Sequence, residues 1–566
     1  MKQLSTGSRL LQGAFVLGLA AIISKIIGAF QKIPLQNLGG DGVFGIYNTV
    51  YPFYMLIITI AAAGLPVAVS KFVAEQNALG RPEEGRRVIR LSSMLLGGIG
   101  LALALLMYIG APLIGDLIGN GSVVASIRAA SMALLFVPVM TGLRGYFQGL
   151  QQMVPTAVSQ VVEQTVRVTV MIVLLLWLMG RDASLETIAA GAMIGSVAGG
   201  LAGLVTMLGY VYHHRRKNGE RLAVMKSTEA AGQMEKNKEH RSVGSSLLPE
   251  ERRSNGEWMR TLLIYAIPVC LGSLAVPLMN LVDTFTVPRL LRREGLDELQ
   301  SMVSFGIYNR GLPLVQLVTM LATSLSVLFI PAMAEARLKG GPEAVRQQAG
   351  LALRWFWLIG LAASAGLAVL AEPINRMLYG DAAGTEALRY MALTAAGSTV
   401  SIIAAALLQG LGAVRAPAFS MLAAAGVKAL LNVMLVPALG ISGAALAGAV
   451  AYMLAAGLNV ALLARLVALR PAPGAVLAKP ALVIAAMSVA AAGTAWAAEA
   501  LLGGIGIAAD RRLAAMGVSL LGIAAGSAVF LLAAARTGLL TAAELAAVPK
   551  LGPLLAKLLR RLRVLR

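Results

Sequence analysis

The chain has 566 residues, 58% of them hydrophobic and only 13% charged, with a mean hydropathy of +0.77. Soluble globular domains carry about 25% charged residues, so a soluble fold, or a soluble domain on a single anchor, is excluded in favour of an all-α polytopic membrane protein. Lysine and arginine outnumber aspartate and glutamate 48 to 27, a net charge of +21. In such a chain the excess points first to basic loops on the cytoplasmic side and not to a nucleic-acid partner. Cys270 is the single cysteine, so no disulfide forms within the chain, and His213, His214 and His240 are the only histidines. A zinc or histidine-based catalytic site is therefore not expected. No GxxxxGK[ST] nucleotide-binding sequence occurs. The residues predict a non-enzyme without a cofactor, driven by an ion gradient, by the membrane potential or by the substrate's own gradient. Whether a coupling ion is Na+ or H+ is left open.

A spanning helix needs roughly 20 mostly apolar residues. Fourteen stretches qualify, near 10–33, 44–73, 88–112, 123–149, 156–179, 185–212, 259–288, 303–334, 349–371, 386–412, 416–438, 441–468, 478–502 and 513–535. The first apolar run is followed by no small-residue cleavage site and reads as a retained helix. One set of loops carries Arg81, Arg86, Arg87 and Arg90, then the long 213–260 segment, then Arg337, Lys339 and Arg346, then Arg465, Arg470 and Lys479. The alternate loops hold Asp41, Asp116, Asp182, Glu186, Glu372, Asp381 and Glu386. The positive-inside rule then puts both termini in the cytoplasm, with the protein multi-pass in the membrane. The loop at 289–301 mixes both signs and is the exception.

Residues 213–257 are polar, lack apolar periodicity and read as a flexible cytoplasmic linker. On either side of it the chain repeats itself. Tyr47-Asn48, Pro52, Gln148-Gly149-Leu150 and the cation Arg167 recur as Tyr308-Asn309, Pro313, Gln409-Gly410-Leu411 and Lys428, every pair 261 residues apart. Four matches at one register imply a duplicated six-helix unit, an N-terminal lobe at 1–212 and a C-terminal lobe at 258–469, related by a pseudo-two-fold along the membrane normal. Helices 13 and 14 at 470–538 stand outside the repeat. The tail at 539–566 alternates leucines with lysines and arginines at helical spacing. It reads as an interfacial amphipathic helix whose partners are anionic membrane lipids.

Charge at membrane depth marks where the work is done. In the stretch RGYFQGLQQMVPTAVSQVVEQTVRV (144–168), Gln160, Glu163, Gln164 and Arg167 share one helical face, opposite Val161, Val162, Val166 and Val168. Ser24, Lys25, Gly28, Gln31 and Lys32 recur at helical spacing in the first span, Asn48 and Tyr51 lie in the second, and Asp283 in the seventh. Asn309 and Arg310 lead into Gln316, Thr319, Thr323 and Ser326 in the eighth span, and Lys428 lies in the eleventh. The deep cations Lys25, Arg167, Arg310 and Lys428 outnumber the deep anions Glu163 and Asp283, which predicts a net positive cavity between the lobes, suited to phosphate or carboxylate groups.

The segments YNTVYPFYMLIITIAAAGLPVAVSKFVAE (47–75), RGYFQGLQQMVPTAVSQVVEQTVRV (144–168), LMNLVDTF (278–285) and YNRGLPL (308–314) resemble the stage V sporulation protein B branch of the polysaccharide transporters. That branch lies in the multidrug/oligosaccharidyl-lipid/polysaccharide exporter superfamily, which also holds the MurJ-type lipid II flippases. The resemblance implies fourteen helices, with two six-helix lobes in a V around a cationic cavity and a lipid-tail groove formed by the last two. It also implies flipping of an undecaprenyl-pyrophosphate-linked oligosaccharide for peptidoglycan or spore cortex synthesis. By the same resemblance Ser24-Lys25 matches the flippases' Ser-Arg pair and Arg310 their eighth-helix cavity arginine. A further first-helix arginine falls on Gln31, so that contact is absent or shifted to Lys32. Two alternatives stand beside this: a cation-coupled multidrug exporter using Glu163 or Asp283, and a non-transporting scaffold for cell-wall synthesis proteins. The expected site is Ser24, Lys25, Gln31, Asn48, Glu163, Gln164, Arg167, Asp283, Asn309, Arg310 and Lys428.

Overall fold

A computed structural model of the chain describes residues 6–62, 64–235, 254–469, 477–504 and 511–541. Among these residues all regular structure is helical. In hydrocarbon every backbone N–H and C=O must be satisfied within the segment, which leaves a chain of this composition the helix. The first half comprises α1 (Thr6–Phe30), α2 (Lys32–Ala62), α3 (Leu65–Ala78), α4 (Pro82–Ile109), α5 (Ala111–Ile118), α6 (Val124–Ser131), α7 (Val137–Gly149), α8 (Met153–Met179) and α9 (Leu185–Glu235). The second comprises α10 (Asn255–Ser273), α11 (Ala275–Arg293), α12 (Glu298–Asn309), α13 (Leu312–Glu335), α14 (Gly341–Val369), α15 (Ala371–Tyr379), α16 (Thr385–Gly410), α17 (Ala416–Leu439) and α18 (Ile441–Val467), followed by α19 (Lys479–Gly504) and α20 (Arg512–Arg536).

By length and composition eleven helical runs can cross a membrane, or up to twelve if α10 and α11, bent by 59° at their junction, form one broken span. The expected fourteen are not counted separately, because Val16–Ala78 and Glu298–Val369 are each continuous runs that cover two expected spans. The start of the expected linker is also helical. α9 continues through 213–235, where Arg, Leu, Ala, Met, Lys and Glu sustain a helix without an apolar face. Residues 236–253 of that linker, and the amphipathic tail from 542 onward, lie outside the described residues.

The duplication is visible in the packing. α1 packs on α8 as α11 does on α17, α8 on α9 as α17 on α18, α4 on α7 as α14 on α16, and α3 on α7 as α13 on α16. The short helices α5 and α15 end on Gly119 and Gly380, 261 residues apart, both left-handed at φ 84° and 88°. α19 and α20 pair with each other and lean on α14 and α15. There Leu358 and Val483 join Ala534 in one small core, and Leu370 and Ile374 join Ala495 and Val518 in another.

The halves meet where α2 crosses α12. Both helices carry the identical run Phe-Gly-Ile-Tyr-Asn, at 44–48 and at 305–309. A Cβ on Gly45 would stand 1.9 Å from the Met302 carbonyl oxygen, and one on Gly306 would stand 2.0 Å from the Asp41 carbonyl oxygen. Asp41 and Met302 are themselves one repeat apart, so this is a two-fold contact in which each helix presses its glycine onto the other's backbone. Asn48 and Asn309 each donate to the carbonyl four residues back, Phe44 at 2.8 Å and Phe305 at 2.6 Å.

Replacing Gly45 or Gly306 by alanine forces backbone against backbone, so each should destabilise by about 3 kcal/mol or more. Gly98→Ala, where a Cβ meets nothing within 4 Å, should be neutral. Thermal unfolding of the purified protein in detergent checks this, and the two glycines should behave alike.

Candidate functional site

A cavity of about 360 Å³ opens between the halves. α1 and α2 contribute Ser24, Lys25, Lys32 and Tyr51, α8 contributes Gln160 and Gln164, and α13 contributes Gln316, Thr319 and Thr323. No carboxylate lines it, and among the described residues no acid pairs with either lysine. Lys25 is exposed into this space, whereas Lys32 is only 4% exposed. An ammonium that buried and unanswered is expensive. Ser24 Oγ is also buried without a partner. Hydroxyls, amides and two ammoniums around an acid-free space are chemically suited to an anion rich in acceptor oxygens.

The other deep cations are answered within the chain. Glu163 sits between two arginines: its Oε1 accepts from Arg167 at 2.7 Å and its Oε2 from Arg144 at 2.9 Å. Arg144 also donates to Ser159 Oγ, which in turn donates to the Gly203 carbonyl. This cluster joins α7, α8 and α9 inside the first half. In the second half Asp283 on α11 accepts from Lys428 at 2.7 Å, from Tyr308 Oη at 2.6 Å and from Asn432 Nδ2 at 3.0 Å. Lys428 is one repeat from Arg167, so both halves bury a cation at one register and neutralise it with different acids.

Arg310 lies at the α12–α13 junction, 2% exposed, in a fork between two aspartates. It reaches Asp41 through Nε at 2.8 Å and Nη2 at 2.5 Å, and Asp381 through Nη1 at 2.5 Å and Nη2 at 3.1 Å. Tyr379 Oη donates to the Arg310 carbonyl at 2.6 Å. Asp41 belongs to the first half and Asp381 to the loop before α16, so one guanidinium ties both halves together at one end of the molecule. Beside it Asn37 donates to the Leu378 carbonyl and accepts from Arg512, while Asn120 donates to the Glu298 carbonyl. Burial pushes the Asp381 carboxyl up, but the hydrogen bonds from Arg310 and the Ala383 amide outweigh it and hold the carboxyl below its ordinary 3.8.

Of the residues expected in the site, Ser24, Lys25 and Gln164 line the central cavity together. Arg167, Arg310 and Lys428 do not converge there. They stand in three separate acid-bearing clusters, because at low dielectric a carboxylate within reach is a better partner than an open cavity. Glu163 and Asp283 are the acids that hold two of them. Gln31 turns to the Tyr47 hydroxyl at 3.5 Å, and Asn48 and Asn309 serve their own helices. Lys32, Gln160, Tyr51, Gln316, Thr319 and Thr323 complete the polar lining; their helical spacing in the sequence is the signal that points to them. Arg144 and Asp381 carry no such local signal, since their partners are remote in the chain.

Glu163→Ala should cost about 3–5 kcal/mol by stranding two buried guanidiniums, seen as a lower unfolding midpoint in detergent. For the Arg310 fork the sign follows from a depressed carboxylate. The contribution of Asp381 is complete above pH 3.8 and fades only below it. Amide exchange over 378–384, corrected for intrinsic rate, should therefore stay unchanged from pH 8 to 5 and rise at pH 7 in Asp381→Asn. Set beside known proteins, residues 10–337 match the polysaccharide biosynthesis protein family. Among Bacillus subtilis (strain 168) proteins the chain is 32% identical to "Uncharacterized membrane protein YabM" over 77% of each chain. It is 29% identical to "Lipid II flippase MurJ" over 78% of this chain and 80% of that one, and 25% identical to "Stage V sporulation protein B" over 77% and 80%. In fold it is similar to a solved lipid II flippase MurJ in an inward closed conformation (TM-score 0.62, 14% identity, 92% of this chain and 98% of that one). It is also similar to an inward-facing multidrug resistance MATE family transporter of the MOP superfamily (TM-score 0.59, 15% identity, 79% and 94%). This multi-pass membrane protein, with its duplicated helical halves and acid-free central cavity, belongs to the polysaccharide biosynthesis protein family.

Proposed function

We propose that the chain flips an undecaprenyl-pyrophosphate-linked oligosaccharide, a lipid II-like precursor for cell wall or spore cortex synthesis, from the cytoplasmic to the outer leaflet by alternating access. The observation that carries this is the cavity between the halves, where Lys25 and Lys32 face each other's space with no acid to neutralise them. A diphosphate answers both ammoniums, and the glutamine and threonine lining offers donors to the adjoining sugar. The prenyl chain stays in lipid. Both termini lie in the cytoplasm, so the Arg310 fork closes the outer end and the cavity loads from inside. The same reading lets the lobes at 1–212 and 258–469 rock about the α2–α12 crossing, with the fork breaking and reforming in each cycle. A cation-coupled multidrug exporter needs a free carboxylate in the cavity, and Glu163 and Asp283 are held by the chain's own cations.

Reconstituted into liposomes with a fluorescent lipid-linked oligosaccharide, Lys25→Gln/Lys32→Gln should flip at least roughly tenfold more slowly, each lost charge-assisted bond being worth about 1.5–3 kcal/mol. Lys25→Arg/Lys32→Arg should retain most of the rate. Wild-type flipping by a correctly folded double glutamine variant would overturn the proposal.

A further inference from the structure

The described molecule holds a second cavity, larger than the central one. A space of about 1220 Å³ lies on the flank of the first half, among α4, α7 and α9, with Asn255 at the start of α10 on its rim. It shares no lining residue with the central cavity. Four arginines and two glutamates stand around its mouth. Arg86 pairs with Glu83 at 3.3 Å and Arg87 with Glu84 at 3.6 Å. Arg90 and Arg215 also line it, both are exposed, and neither has a carboxylate partner among the described residues. Two guanidiniums are thus left over, facing one space.

Below them the wall turns apolar. Val139, Leu143 and Val211 line it with Met94 and Leu208, which are 66% and 51% exposed. The arginines occupy one end of the spans Pro82–Ile109 and Leu185–Lys217, and the charge distribution assigns that end to the cytoplasmic leaflet, where anionic lipid gathers basic side chains. A free phosphate has no use for a long greasy wall, and a neutral lipid has no use for two unpaired guanidiniums. We propose that this flank cavity binds one anionic phospholipid, its phosphate held by Arg90 and Arg215 and its acyl chains lying along Met94 and Leu208.

The position gives such a lipid a structural consequence. At the same rim Arg87 Nε donates to Asn255 Oδ1 at 2.8 Å, and Trp258 Nε1 donates to Glu84 Oε2 at 3.1 Å. These bonds dock the first helix of the second half onto α4. A lipid seated here braces that docking from the membrane side.

The test is native mass spectrometry of the full chain in neutral detergent with added dioleoyl phosphatidylglycerol or, separately, dioleoyl phosphatidylcholine. Wild type should hold one phosphatidylglycerol more tightly than phosphatidylcholine, by roughly tenfold. Arg90→Gln/Arg215→Gln should lose that preference and Arg90→Lys/Arg215→Lys should keep part of it. Met94→Glu, which leaves both arginines in place, should also lose the lipid. Lys25→Gln/Lys32→Gln should keep it, so failure of the central-cavity proposal is read separately. Equal binding of both lipids, undiminished binding in the glutamine variant, or displacement of the lipid by equimolar inorganic phosphate would each overturn the proposal.

Discussion

A charge inside a bilayer has to be answered, and how each one is answered accounts for most of this architecture. Taking an ion out of water costs several kcal/mol even after the protein relaxes. Arg144 and Arg167 share Glu163, Lys428 takes Asp283, and Arg310 takes two aspartates at once. Each of these clusters is self-contained and adds rigidity to a half or closure to an end. Only when they are set aside do Lys25 and Lys32 stand out as the cations of the central cavity that have no counter-charge among the described residues. The sign of the central cavity is therefore a remainder after internal pairing.

The second constraint is the crossing of α2 and α12. Two copies of one sequence run meet with glycine on backbone, close enough that no side chain fits between them. Such a contact is narrow, and it holds the halves together without filling the space beside it. The cavity lies alongside, walled by α1, α2 and α8 from one half and α13 from the other. The Arg310 fork sits near the same crossing, since the Asp41 backbone packs against Gly306 and its carboxylate accepts from Arg310. Closure at one end and the joint between halves are thus built from the same few residues.

The repeat is kept in packing and altered in chemistry. Four helix pairs correspond between the halves, and the glycine that ends α5 has its counterpart at the end of α15. Yet the acid that neutralises the shared cation is Glu163 on the same helix in one half and Asp283 on a different helix in the other. Duplication preserved the contacts that burial demands, while the polar side chains diverged wherever a new neighbour could satisfy them.

Composition and apolar run length were enough to establish a polytopic helical protein, and four residue matches at one offset were enough to establish the duplication, because bilayer thickness and side-chain periodicity act locally along the chain. The polar faces on α1, α8 and α13 were legible for the same reason: helical spacing of Ser24, Lys25, Gln160, Gln164, Gln316, Thr319 and Thr323 places them on single stripes. Which cations stay free was not legible. Lys428 meets an acid 145 positions away and Arg310 one 269 positions away, and no local pattern encodes a partner so distant. Only the folded arrangement of helices decides which carboxylate comes within reach of which cation, and so which positive charges are left for a ligand.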